Sequence, residues 1–267
     1  MPLDGAPKGA DALRAYTDLD DWSLLSHHSA ARVLRIALPP WAQADWRIHV
    51  ARQATGSTPR RVNVVGHRLH LAQDETAMVD GVRVTSAPRT WLDLASLLSL
   101  DELVAAGDSI VSAHGPEFPV PKEPIATLDS MQRIVAKHGR SRGILNARAA
   151  LDLIRVGVDS PPETQMRLAL VRAGLPEPEL NVIILDPGGV PRIWPDAAYP
   201  GYRVSLQYDG GHHDAERQYG SDIRRGDWTA HLHWLEVRVD KSDLSGEKPA
   251  VVGKVLRALK SRGYGLR

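Results

Sequence analysis

The chain has 267 residues, 43% of them apolar, with 33 basic against 32 acidic side chains and no cysteine. That length and apolar content suit two domains with real cores, and the balanced charge excludes a global electrostatic pull on nucleic acid, leaving only local patches. Without cysteine there are no disulfides, thiolate zinc sites or cysteine nucleophile, so any metal chemistry uses oxygen or imidazole ligands.

The opening MPLDGAPKGADALRAY lacks the apolar core of a signal peptide, and the longest aliphatic run, VIIL at 182–185, is far too short to span a bilayer. The expectation is a soluble cytoplasmic protein with no membrane partner. The first predicted element is a helix near SLLSHHSAARVLRI, on which His27 and His28 read as surface or capping residues. DWRIHVAR, RRVNVVGHRLHLA and DGVRVTS follow with strand-like alternation, and Asp80-Gly81 makes a tight turn before the last of them. APRTWLDLASLLSLDELVAAGDSIVSA then places Trp91, Leu92, Leu94, Leu97, Leu98, Leu103 and Val104 close to helical spacing. Trp91 reads as core, and Arg89 as either an ion-pair partner of Asp93 or a surface contact. A small α+β domain fits residues 20–114.

In HGPEFPVPKEP, Pro116, Pro119, Pro121 and Pro124 oppose both helix and central strand, so this stretch is the expected linker. Beyond it, two helices are predicted around Gly139 and Gly143, with Arg133, Lys137, Arg140, Arg142 and Arg148 forming a solvated basic face. The third part opens with a helix capped by Ser160, with prolines in its first turn, Glu163 three residues after the cap and Gly174 at its end. NVIIL, DPGG and VPRIWPDAAY read as a two-stranded hairpin with its tip at Asp186 to Gly189, followed by the strand YRVSLQYDG. A polar helix from about Asp214, the strand HWLEVRVD and a helix from about Glu247 complete the order α, β, β, β, α, β, α.

Strand alternation puts Ser205, Gln207 and Asp209 on one face and Val204, Leu206 and Tyr208 on the core face. If the strand ending at Asp196 lies beside this one, Asp196 and Asp209 converge at one end of the sheet and Glu163 joins them from the helix. Carboxylates held together repel unless a cation sits among them, and Mg2+ or Mn2+ prefers such oxygen ligands. An ion of this kind serves phosphodiester hydrolysis. Gly210 and Gly211 allow a tight turn, and His212 or His213 can move a proton or contact a phosphate. The bland alternatives are a capping box for Glu163, turn formation for Asp196 and Asp209, and solvated loop histidines.

Ser160-Pro161-Pro162-Glu163-Thr164, then Pro195-Asp196 followed by AAYP, then QYDGGHH resemble the very-short-patch-repair-like endonuclease branch of the PD-(D/E)xK superfamily across about residues 158–245. The resemblance implies a restriction-endonuclease-like mixed sheet flanked by helices, with Asp196 as principal metal ligand. Where the superfamily usually has an acid, a spacer and lysine, this chain reads Gln207-Tyr208-Asp209, so the amide replaces the first acid and Asp209 takes the lysine position.

SHHSAA, DGVRVTSAPRTWLDLAS and LDELVAAGDSIV are similar to the domain that follows the winged helix in AbiEi-family antitoxin proteins. The twenty or so residues ahead of SHHSAA are too few for the winged helix itself. The combined expectation is a two-domain α+β, α/β protein. It comprises an AbiEi-like domain at 1–114, linker and helices at 115–157, and an endonuclease-like domain at 158–267. The implied activity is metal-dependent cleavage of DNA by Asp196, Glu163, Gln207, Asp209, His212 and His213, with Asp196, Asp209 and Glu163 holding Mg2+ or Mn2+. The alternative is a non-catalytic antitoxin or DNA-binding regulator with a cognate toxin as partner.

Overall fold

The structure, a computed structural model, describes residues 10–18, 20, 22–53, 58, 60–210 and 225–265. The protein is a mixed α+β structure in two units, one of residues 1–111 with 124–155 and one of residues 112–123 with 156–267. Among the described residues, no helix is long and apolar enough to cross a membrane.

The first unit holds α1 (Ala10–Thr17), β1 (Leu24–Leu25), α2 (His27–Val33), α3 (Pro40–Ala44), β2 (Ile48–Gln53), β3 (Val64–Leu69), β4 (Thr76–Val79), β5 (Val82–Thr85), α4 (Ala87–Leu94), α5 (Leu100–Val111), α6 (Leu128–Lys137) and α7 (Ile144–Leu153). Its sheet has the order β3-β2-β1-β5-β4. The segment expected as one helix from Ser23 to Ile36 divides, because Leu24 and Leu25 are buried in mid-sheet between β2 and β5. The helix starts only after the extended Ser26, and His27 opens it at φ 47. Nor are His27 and His28 surface residues, since both are buried. The Asp80-Gly81 turn joins β4 to β5 with φ 49 and 77, the left-handed pair that a twisted hairpin needs.

Trp91 is fully buried and donates from Nε1 to the Leu103 carbonyl at 2.8 Å. Both helices expected around Gly139 and Gly143 form, and they belong to the first unit. Arg133 pairs with Asp129 and Lys137 with Asp74, as a solvated face would, but Lys137 also reaches the buried Glu75. At Gly143 (φ 80) an added Cβ would stand 2.5 Å from the backbone of Ala95. Gly143→Ala combines left-handed strain with a backbone collision, so chemical denaturation should show a loss of about 2 kcal/mol or more.

Of the proline-rich stretch expected as linker, residues 114–123 are part of the second unit and Pro124 opens a segment of the first. His114 and Lys122 exchange backbone hydrogen bonds of 3.0 and 3.1 Å. Such a hairpin needs donors only at these two non-proline positions, so the prolines between them are tolerated. Trp194 secures it further by donating from Nε1 to the Glu117 carbonyl at 3.0 Å.

The rest of this unit comprises α8 (Pro161–Arg172), β6 (Ile184–Leu185), β7 (Pro191–Ile193), β8 (Ala197–Tyr199), β9 (Val204–Tyr208), helical residues 225–231 (α9), β10 (Leu235–Val239) and α10 (Ala250–Ser261). The hairpin tip at Asp186 to Gly189 forms, with Asp186 Oδ1 accepting from the backbone of Gly188 and Val190. VPRIWPDAAY, expected as one strand, splits at Trp194-Pro195-Asp196 into β7 and β8, which lie in different sheets. Proline supplies no ladder donor there. In the sheet β10-β9-β8, β9 runs antiparallel to β8 and parallel to β10. Val204 and Leu206 face a core shared with Met166 and Leu170 of α8 and Val251, Val255 and Leu259 of α10, and Tyr208 packs against it. The opposite face of β9 carries Ser205, which is buried, and Gln207.

Candidate acidic site

The register pairs Ala197 of β8 with Leu206 of β9, which puts Asp196, one residue earlier, beside Gln207. Gln207 donates from Nε2 to Asp196 Oδ1 at 2.9 Å, and the Tyr208 backbone N–H donates to Oδ2 at 2.6 Å. Burial pushes the Asp196 carboxyl up to about 6, against the opposing effects of Tyr208, Gln207 and the Arg225 charge.

Glu163 comes from the first turn of α8. Its Oε1 accepts from the Ser160 hydroxyl at 2.7 Å and its Oε2 from the Asp159 backbone N–H at 2.8 Å. The capping box expected of Ser160 and Glu163 is therefore rearranged, because the serine hydroxyl bonds the glutamate instead of a backbone N–H. Burial, then the neighbouring charge of Asp196, pushes Glu163 up to about 7.

Both carboxylates line a pocket of about 210 Å³, together with Asp159, His114, Asn181 and Trp194. Asp159 accepts from Ser112 Oγ at 2.9 Å, and pairs with His114 Nε2 at 2.6 Å and Lys122 Nζ at 2.8 Å. Although burial opposes it, bonds from Lys122, His114 and Ser112 hold Asp159 below its ordinary value. His114 is oriented from behind by Asn181 at 2.7 Å. A wider cleft of about 540 Å³ in the first unit carries only Arg83 among charged residues, so the smaller pocket is the chemically richer one.

Asp209 does not line the pocket. It lies two residues past Gln207, about 7 Å further along the strand, where its N–H donates to the Val239 carbonyl at 2.7 Å and its carboxylate is 4.0 Å from Arg238. The third carboxylate of the pocket is Asp159. Among the described residues, Glu163, Asp196 and Asp209 do not form a group with ligand atoms within 4.8 Å of one another. His212 and His213 lie outside the described residues. Asp159, His114 and Lys122 went unread in the sequence, where their only signal was proximity to the capping serine and to the prolines.

The donor set suits a hard divalent ion. Asp196 and Glu163 offer oxygen only, each with lone pairs beyond the bonds described, and Mg2+ commonly binds through one or two carboxylates while keeping several waters.

No family model and no solved structure matches the chain. Similar sequences occur in Mycobacterium tuberculosis, as uncharacterized protein MT2308 of strain CDC 1551 / Oshkosh and uncharacterized protein Rv2248 of strain ATCC 25618 / H37Rv. Each is 28% identical over 131 residues, 48% of this chain and 48% of the relative, so the chain spans about half the length of the relatives it matches.

Proposed function

We propose that the second unit is a phosphodiester hydrolase acting on DNA, with Asp196 and Glu163 as the carboxylates that hold Mg2+ or Mn2+. The observation carrying this reading is the convergence of the two on one pocket, where both are pushed toward neutrality. When bound, the ion supplies charge for a phosphoryl oxygen and lowers the pKa of a coordinated water. Gln207 and the Tyr208 N–H fix the Asp196 carboxylate, while Ser160 and the Asp159 N–H fix Glu163. In the ion-free pocket the Glu163 carboxyl is near 7, so uptake of the ion at neutral pH displaces a proton from it. Lys122 keeps ammonium donors beyond the one it gives Asp159 and can offer them to phosphate oxygens, and the Phe118 ring, stacked on His114 with centroids 4.6 Å apart, gives a flat apolar surface. The very-short-patch-repair-like motifs agree with this chemistry.

A second reading, a non-catalytic DNA-binding regulator or AbiEi-like antitoxin with a toxin partner, is favoured by the Gln207 amide that already occupies Asp196 Oδ1. Incubation of the purified chain with supercoiled plasmid separates the two. Hydrolysis predicts nicking in Mg2+ or Mn2+ that disappears in chelator and in Asp196→Asn. Intact plasmid in both ions, with the chain still retarding DNA on a gel, overturns hydrolysis in favour of the regulator.

A further inference from the structure

The first unit gathers four imidazoles and a carboxylate from separate elements. His27 and His28 open α2, His49 lies on β2, His67 on β3, and Asp45 follows α3. In the parallel β2–β3 pair His49 lies opposite Val65. His67, two residues beyond Val65, therefore shares the face of His49. Backbone bonds seat α2 against β2, from the Ser26 N–H to the His49 carbonyl at 3.0 Å and from the His49 N–H to Ser29 Oγ at 2.9 Å. The rings then meet, with His49 Nδ1 3.0 Å from His67 Nε2 and the His27 and His67 centroids 3.8 Å apart. Nothing in the fold calls for this assembly, since apolar side chains would fill the same space without leaving nitrogens to satisfy.

We propose that His27, His49 and His67 bind one first-row divalent transition ion, Zn2+ above all, with Asp45 and Ser26 holding the rings from behind. One nitrogen from each of the three lies within 4.8 Å of the others. Tetrahedral zinc with bonds of about 2.0–2.1 Å sets its ligand nitrogens about 3.3 Å apart, so the 3.0 Å pair needs only a small opening. Asp45 Oδ2 lies 3.4 Å from His49 Nε2, which places the N–H there and leaves Nδ1 as the metal-facing lone pair. Ser26 Oγ lies 3.0 Å from His27 Nδ1, and with that nitrogen engaged Nε2 is the one left for the ion. A carboxylate behind a ligating histidine, as Asp45 stands behind His49, is the arrangement that fixes tautomer and raises ligand strength.

Both His27 and His49 are buried, which favours the neutral imidazole with one lone pair free, the form that ligates a metal. Asp45 also lies 3.4 Å from His28 Nδ1, while His28 Nε2 is buried with no hydrogen-bond partner. Imidazole donors select Zn2+, Co2+ or Ni2+ over Mg2+, and three of them leave a fourth tetrahedral position for water or another ligand. His67 is only partly buried, so solvent can reach its side of the cluster.

The test uses the full chain stripped with chelator, titrated with Zn2+ by calorimetry and with Co2+ by visible absorption. Expected are saturable binding of a single Zn2+ per chain and the intense bands of four-coordinate Co2+. His67→Gln should weaken Zn2+ by more than about 100-fold and Asp45→Asn by about 10–100-fold. Asp196→Asn should bind Zn2+ as the wild type does, which separates this site from the acidic pocket of the second unit. Should His67→Gln not fold, long-range proton–nitrogen spectra of the wild type decide, since Zn2+ must shift the ring nitrogens of His27, His49 and His67. The proposal is overturned by a wild type that takes up no Zn2+, by unchanged affinity in folded His67→Gln, or by ring shifts confined to His28 and His49.

Discussion

Glu163→Gln should abolish metal-dependent nicking and at the same time make the ion-free protein more stable at pH 8. Gln can still accept from the Asp159 N–H and bond Ser160 Oγ, so the geometry of the α8 terminus survives while the charge facing Asp196 is removed. Burial and the Asp196 charge raise Glu163 from 4.5 to about 7, and burial raises Asp196 from 3.8 to about 6. For an acid whose folded pKa is raised, the folded state holds the proton more tightly. Stability is therefore full below about pH 4 and falls as pH climbs through the two values, until the penalty is complete above about 7.

At about 1.4 kcal/mol per unit the penalty is of order 3 kcal/mol for either group, and the two are coupled. Each neutral isostere, Glu163→Gln or Asp196→Asn, should thus gain about 1–3 kcal/mol at pH 8 in chelator and flatten the profile from pH 5 to 8. Mg2+ or Mn2+ should raise the melting temperature of the wild type more at pH 8 than at pH 5.5, and that of the variants hardly at all. Denaturation curves across pH, with and without the ion, provide the check. A wild type with flat stability over this range, or variants weaker than it at pH 8, would show that the two carboxylates are not held against each other.

Arg89→Ala should cost about 3–5 kcal/mol. The Arg89 side chain is 6% exposed. It donates from Nη1 to Glu75 and to the His70 carbonyl, and from Nε to Asp93 at 3.0 Å. Glu75 is 1% and Asp93 8% exposed, so removing the guanidinium leaves two buried carboxylates short of positive charge. Even beside Arg89, burial pushes Asp93 up to about 6. Glu75 keeps Lys137 and His138, so Asp93 bears most of the loss. The deficit of the variant should therefore shrink as pH falls toward 5 and Asp93 takes up a proton, and Arg89→Ala with Asp93→Asn should recover part of it. Urea titrations at pH 5 and 8 measure both effects. A loss under about 1 kcal/mol, as for an ordinary surface residue, would mean that the buried cluster is not held by Arg89.

Local chemistry determined a definite part of this protein. Ser160, two prolines and Glu163 start α8, Asp80-Gly81 and Asp186 to Gly189 make hairpin turns, and the alternation along β9 puts Leu206 in the core and Gln207 on the other face. Each is a matter of backbone preference or period over a few residues, which any stretch of sequence carries by itself. Missing cysteine likewise restricted metal ligands to oxygen and imidazole before any contact was known.

What came together across long stretches of chain was decided only by tertiary structure. Asp196 meets Gln207 and not Asp209 because β8 begins at Ala197 and pairs in one register with β9. Asp159, rather than Asp209, completes the acidic pocket because a proline-rich hairpin brings His114 and Lys122 to it. His27, His49 and His67 carry no shared period. Their meeting depends on the parallel register of β2 with β3 and on the bonds that seat α2 against β2, and pairings of that range leave no trace in the spacing of the residues they join.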